Sequence, residues 1–216
     1  MITSGEGQGS RQIGMREFLL LEDLDMEPTW SGAEQIIFEG PTGGSYTSGP
    51  FRGVLHTTQS REYNPSTTEY YGHRNPPHFT LAMKTGGARV YQHYSIRVAA
   101  RALKNPPGGV QTNRQSAIQI EIAWRAERIR FLPDSMYETL AELMRWIEEQ
   151  TGIQKEAPLF LDSNAYGNGS AARMGAEEWE AFNGWCGHQH VPENDHWDPG
   201  MIDIARLFGQ QLYAAA

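Results

Sequence analysis

Between Ser116 and Trp124 the chain alternates in a way that admits one local structure. Ile118, Ile120 and Ile122 fall on one side, and Ala117, Gln119, Glu121 and Ala123 on the other. A period of two is the mark of a β-strand, and a strand face made of isoleucines needs an apolar partner to cover it. The partner follows in sequence: Met136, Leu140, Leu143, Met144 and Ile147 recur at helical spacing, Ser135 and Glu138 make a capping-box pattern, and Gly152 supplies a stop. The spacing predicts a helix over Met136–Thr151 with its apolar stripe on a sheet. Gly53–Thr58 reads as a buried strand that delivers His56 near its end, and another strand starts in Gln35–Phe38. His78–Met83 and Ala88–Tyr94 flank Lys84–Gly87 as a hairpin. Met15–Leu24, Ala176–Phe182 and Met201–Leu212 read as helices, the last with Met201, Ile204, Ala205 and Leu207 or Phe208 inward. Gly40–Gly53, Gln59–Pro77 and Leu159–Gly175 read as loops, the second long enough to frame a site. Strands and helices that mix along the chain give an α/β or α+β class, one sheet with helices against it.

A chain of 216 residues with no change of composition along it is expected to form one domain. Its 39% hydrophobic content supplies a core and its 20% charged content a wet surface, which excludes both disorder and membrane insertion. The net charge of -8, with no run of Lys or Arg, disfavours a nucleic-acid binder that works by neutralising phosphate. Cys186 is the only cysteine, so no intramolecular disulfide can hold the fold. Met1–Gly14 is polar, and the apolar stretch Phe18–Leu21 is cut off by Glu22 and Asp23. This start reads as neither a signal peptide nor a membrane span.

The chemistry is concentrated near the C-terminus. Of seven histidines, His188, His190 and His196 crowd into Gly187–Gly200 together with Asp198. Imidazole nitrogens and carboxylate oxygens are ligands of catalytic zinc, which keeps three protein ligands and leaves one position open. His188 and Asp198, ten residues apart across a proline-containing loop, can converge on one ion. The third ligand comes from elsewhere, and His56 at the end of its strand is the natural donor. His190 is the chief rival, since His188 and His190 on an extended segment point to the same side. Cys186 is a ligand by residue type as well.

The Gly187-His188 pair followed by Asp198-Pro199-Gly200 resembles the closing motif of zinc-dependent N-acetylmuramoyl-L-alanine amidases of the type 2 amidase and peptidoglycan recognition protein family. Val54-Leu55-His56-Thr57-Thr58 resembles the family's first zinc-ligand strand. Pro77-His78-Phe79 resembles the segment before its hairpin, and Ile118-Gln119-Ile120-Glu121 its Ile-x-Ile-Glu strand. The matches run in order from Val54 to Asp203, and Val191-Pro192-Glu193-Asn194 looks most like actinobacterial and phage lysins. The resemblance implies an α/β fold with a single mixed β-sheet flanked by helices, and a division into an extension over 1–50 and a catalytic domain over 51–216. It implies zinc held by His56, His188 and Asp198, Glu121 as the group that activates the attacking water, and Cys186 as a packing residue. The implied substrate is peptidoglycan or muropeptides, cut between muramic acid and L-alanine.

Two departures from the family stand out. His196 occupies the position where many members carry Lys; an imidazole titrates near pH ~6.5, so His196 acts as a neutral donor or as a cation only at lower pH. Arg101-Ala102-Leu103-Lys104 replaces an aromatic-His-Ala-Gly stretch, so that wall of the site differs. His78 and His93 read as structural, His73 as a surface residue, Glu193 and Asp195 as solvated charges, and Trp197 as the aromatic residue placed to meet substrate. Tyr63, Tyr70, Tyr71 and Asn75 offer an alternative surface for muropeptide. The expectation is an endolysin-type cell-wall hydrolase, a monomer, made in the cytoplasm and reaching the wall by release or delivery. Its rivals are a recognition protein that binds without cutting, a cytoplasmic recycling amidase and a delivered antibacterial effector.

Overall fold

The computed structural model describes residues 26–63, 75–162 and 172–209. The expected helix over Met15–Leu24, along with His73, Tyr70 and Tyr71, lies outside the described residues.

Six strands form one mixed sheet: β1 (Ala33–Gln35), β2 (Arg52–Thr57), β3 (Phe79–Lys84), β4 (Gly87–Gln92), β5 (Ala117–Ile122) and β6 (Trp185–Gly187), in the spatial order β1-β4-β3-β5-β2-β6. Among the described strands only the β3–β4 pair is antiparallel; β5 lies between β3 and β2, parallel to both. The class is the one the sequence implied. The first strand sits slightly earlier than the expected Gln35–Phe38, where Ala33–Gln35 pair with Val90–Gln92.

The long helix α1 (Asp134–Thr151) covers one face of the sheet. Its Met136, Leu140, Leu143, Met144 and Ile147 meet Leu55, Phe79, Leu81, Ile118, Ile120 and Ile122 in the main core. The predicted capping box does not form. Pro133 occupies the cap and its carbonyl accepts from the amides of Met136 and Tyr137, so the helix starts at Asp134 and Ser135 falls inside the first turn. Gly152 ends the helix as expected, in the left-handed conformation at φ 73°.

β2 and β5 are buried along their whole length, so the opposite face of the sheet is covered too. Two smaller apolar clusters do this. One gathers Val54, Ala117, Cys186, Val191 and Trp179, the last from α2 (Ala176–Ala181); the other gathers Tyr63, Ala82, Tyr91 and Ala123. Polar residues of β2, β5 and β3 lie on this face: His56, Gln119, Glu121 and Thr80, all buried. Arg52, at the start of β2, is buried without a carboxylate; it donates to the carbonyls of Trp179, Glu180 and Pro50 and so ties α2 to the sheet. The last helix, α3, is short, Ile204–Leu207, with 210–216 outside the described residues. Leu207 is buried as expected, but Met201 is 48% exposed because it precedes the helix, which is capped by Asp203.

Candidate metal centre

β2 and β5 run parallel with His56 and Glu121 as register partners, and Thr80 of β3 is the register partner of Glu121 on its other side. Residues level with one another in a sheet share a face. His56, Glu121 and Thr80 therefore form a row on the face away from α1. β6 pairs with β2 through Gly53–Leu55, then turns directly into the 3-10 segment His188–His190, which carries His188 over the end of β2. Gly187 makes this possible: a Cβ there would lie 2.5 Å from Pro199 Cδ and 2.9 Å from the Phe160 ring.

Asp198 completes the group. Its Oδ2 accepts the Thr57 backbone N–H at 2.8 Å, which fixes the carboxylate beside the residue that follows His56. His56 Nδ1 and His188 Nδ1 are 3.0 Å apart, His188 Nδ1 is 3.4 Å from Asp198 Oδ1, and His56 Nδ1 is 3.9 Å from Asp198 Oδ2. All three residues are buried, and their ligand atoms lie within 4.8 Å of one another.

The donor set fits a metal. Ligand atoms ~2.0–2.1 Å from a tetrahedral ion stand about 3.3 Å apart, and the 3.0 Å between the two Nδ1 atoms and the 3.4 Å from His188 Nδ1 to Asp198 Oδ1 lie close to that value. Burial, then the charge of His188, holds His56 well below the usual imidazole range, while Asp198 pulls the other way. Burial pushes Asp198 up, but His188, His196 and His56 outweigh it, so the carboxyl lies far below its ordinary range. A neutral imidazole and an ionised carboxylate are the forms that ligate. His56 Nε2 is buried and has no hydrogen-bond partner among the described residues.

The remaining expected residues divide. Glu121 is 7% exposed beside His56. His196 is at the rim, its side chain 58% exposed, with its ring stacked on His188 at 4.5 Å and 8° and its Nδ1 3.6 Å from Asp198 Oδ1. That contact with Asp198 raises its pKa. Trp197 continues the stack, 6.1 Å from His196 at 16°. His190 stands apart from the triangle. The segment is a 3-10 turn rather than extended, so its ring points elsewhere: Nδ1 accepts from Gly187 N at 2.9 Å, Nε2 bonds the Leu159 carbonyl at 3.1 Å, and the ring packs edge-on against Phe160. Cys186 is buried in an apolar cluster and its thiol is pushed up to about 12 by burial. His78 and His93 are buried and hydrogen-bonded. Glu193 and Asp195 are exposed, yet Glu193 accepts from Val110 N at 2.7 Å and Asp195 pairs with Lys104 at 3.7 Å.

Three residues hold the site that were given no role in the sequence reading. Gln189 takes the Leu161 N–H on its Oε1 and donates Nε2 to the Gly200 carbonyl at 3.2 Å, while its backbone N–H bonds the Asp198 carbonyl. Arg173 spans the carbonyls of Val191 and His196. Asn194 bonds His188 Nε2 at 3.0 Å.

No family model matches the chain, and no curated protein matches it. Among solved structures, the crystal structure of a selenomethionine AmpD derivative aligns over 86% of this chain and 98% of its own, at 14% identity and a TM-score of 0.51. The two share a fold. Two proteins from Clostridium intestinale URNW also align: the N-acetylmuramoyl-L-alanine amidase LysC, at 13% identity over 82% of this chain and 96% of its own, and the endolysine N-acetylmuramoyl-L-alanine amidase LysCS, at 14% over 82% and 94%. Their TM-scores, 0.46 and 0.47, lie where two chains need not share a fold.

Proposed function

We propose that the chain is a zinc-dependent N-acetylmuramoyl-L-alanine amidase, which hydrolyses the amide between N-acetylmuramic acid and L-alanine in peptidoglycan as a lysis-type cell-wall hydrolase. The observation that carries this reading is the meeting of His56, His188 and Asp198, from distant parts of the chain, in one buried triangle beside Glu121. These are the positions at which the sequence resembles the amidase family.

In this reading His56, His188 and Asp198 hold the ion through two imidazole nitrogens and one carboxylate oxygen. Bound there, zinc supplies a Lewis acid that polarises the scissile carbonyl and acidifies water. The protein's side chains do the rest. The Glu121 carboxylate takes the proton of the attacking water and delivers it to the alanine nitrogen as the C–N bond breaks. His196, at the open rim, donates to the carbonyl oxygen as charge develops on it. Thr57 N–H occupies one oxygen of Asp198, which leaves the other for the inward side. The exposed His196 and the partly buried Trp197 beside it mean that the site opens at the surface, as a polymeric substrate requires.

The test is mass spectrometry of the soluble products released from peptidoglycan sacculi by the purified protein, beside a His188→Ala variant and a chelator-treated sample. Stem peptides with a free N-terminal alanine are expected from the untreated wild type alone. No release by folded, zinc-loaded protein would overturn the proposal in favour of binding without cleavage or of a small-muropeptide substrate.

A further inference from the structure

Asn194 is 4% exposed, and every polar atom of its side-chain amide is committed. Its Nδ2 donates to the Pro192 carbonyl at 2.9 Å and to the Lys104 carbonyl at 3.2 Å. Its Oδ1 accepts the Lys104 backbone N–H at 3.0 Å and faces His188 Nε2 at 3.0 Å. Turning the amide over would set its NH2 against the Lys104 N–H and its oxygen against two carbonyls. The three backbone groups therefore fix which end faces His188, and that end can only accept. An imidazole nitrogen facing a pure acceptor must carry the proton. The neutral ring of His188 is thereby Nε2–H, with its lone pair on Nδ1, the atom that stands 3.0 Å from His56 Nδ1 and 3.4 Å from Asp198 Oδ1.

We infer that Asn194 is a positioning residue for the metal centre: it sets the tautomer and ring orientation of His188 and couples that ligand to the backbone of Lys104. The inference rests on the metal-binding reading of the triangle and deepens it. It also gives the Arg101–Lys104 segment a role. That stretch is braced by side-chain amides along its length: Gln119 Oε1 accepts from Ala102 N at 3.0 Å, Asn113 Oδ1 accepts from Leu103 N at 3.1 Å and its Nδ2 donates to the Leu103 carbonyl at 2.7 Å, and Asn194 bonds both backbone groups of Lys104. Gln119 and Asn113 are joined at 2.8 Å. A continuous run of amides thus links β5, which carries Glu121, to the far side of His188. Outer partners of this kind tune ligand basicity as well as orientation.

Two substitutions separate the role toward His188 from simple bracing of the loop. Asn194→Leu removes the acceptor and the donors; Asn194→Asp keeps an oxygen for His188 Nε2–H and loses the Nδ2 donors. Zinc affinity is read by competition with a chromophoric chelator, and the His188 tautomer by nitrogen-15 NMR of the metal-free protein at a pH above the imidazole range. The expected result is a single Nε2–H tautomer in wild type and in Asn194→Asp, a mixture of tautomers in Asn194→Leu, and zinc affinity lowered about 10- to 100-fold in Asn194→Leu alone. Wild-type affinity in Asn194→Leu, or a wild-type His188 protonated on Nδ1, overturns the inference. Should Asn194→Leu fail to fold, the wild-type tautomer and the affinity of Asn194→Asp still decide it, with a loss in Asn194→Asp equal to removal of a ligand counting against it. A wild type that binds no zinc but shows the Nε2–H tautomer overturns the metal reading and leaves the hydrogen-bond assignment standing.

Discussion

His56 Nδ1 faces His188 Nδ1 at 3.0 Å across the end of the β2–β6 pair, with the carboxylate of Asp198 closing the third side. With the His188 proton on Nε2, one proton between the rings sits on His56 Nδ1, and the lone pair of His188 Nδ1 and the carboxylate of Asp198 are left facing each other at 3.4 Å. A cation that accepts both lone pairs removes the conflict. Zinc is therefore expected to stabilise the folded protein, by ~2.7 kcal/mol when free zinc is a hundred times its dissociation constant. Thermal unfolding with zinc and with chelator should show the difference in wild type and none in His188→Ala. An identical melting temperature in all conditions would count against a metal centre.

Glu121 lies in a strand buried from end to end, in register with His56, so only an isosteric substitution tests its chemistry. Glu121→Gln keeps the shape and loses the carboxylate. Turnover should fall by on the order of 10²- to 10⁴-fold, with zinc content and unfolding temperature close to wild type. Undiminished release of stem peptides by this variant would remove Glu121 from the reaction.

How much of this was legible in the sequence depends on how local each signal is. The isoleucine alternation of β5 and the apolar stripe of α1 are set by neighbours a few residues away, and both stand where the periodicity puts them. The helix start was misjudged because a proline cap competes with the Ser135 pattern, and a strand of three residues, β1, is too short for periodicity to fix. At the centre, residue types and order pointed to His56, His188 and Asp198, since their spacing is carried by the chain itself. Gln189 and Arg173 gave no such signal, and Asn194 entered only within the Val191–Asn194 match, with no role. An asparagine in a polar loop looks like any other until the fold sets His188 on one side of it and Lys104 on the other. Arg52 is similar: a charge at a strand start suggests solvent, and the carbonyls of Trp179 and Glu180 in α2 and of Pro50 explain its burial.

His196 is the member of the cluster that reaches solvent, stacked on His188 without belonging to the triangle. Its removal should leave the metal in place and impair the reaction. In His196→Ala, zinc per protein by elemental analysis is expected near wild type while turnover drops about 10²-fold or more, the scale of losing one donor to a developing oxyanion. Equal losses of zinc and turnover would make it a ligand or a support, and full activity would exclude it.

His190 gives the opposite pattern. Both ring nitrogens are engaged with backbone groups, Gly187 N and the Leu159 carbonyl. His190→Ala leaves those groups buried and unpaired at a cost on the order of 1–3 kcal/mol, so denaturant unfolding should move to lower concentration. Zinc stoichiometry should not change. A variant of normal stability that has lost its metal would restore His190 as a ligand.

Two histidines away from the centre make folding itself sensitive to pH. His78 accepts the Gln119 N–H on Nδ1 at 3.0 Å and bonds the Val98 carbonyl through Nε2 at 2.9 Å; Tyr46 Oη lies 3.1 Å from the same Nε2. His93 bonds the Ile36 carbonyl through Nδ1, which leaves Nε2 to accept from Tyr63 and Thr80 hydroxyls at 3.1 and 3.0 Å. Each ring is built into the fold as a neutral acceptor and donor, and burial lowers each pKa to about 4. In the unfolded chain both take a proton near pH ~6.5. Below that value the unfolded state binds more protons than the folded one, so stability falls as pH falls, and the loss continues until the folded rings titrate near 4. Between pH 7 and 5, before most carboxylates titrate, the loss is about 2 kcal/mol for each ring. Urea unfolding of the metal-free protein across that range should show it, with the His78 and His93 ring resonances unshifted above pH 5. Stability that stays level from pH 7 to 5, or rings that titrate near 6.5 in the folded protein, would show that these histidines are not held neutral by the core.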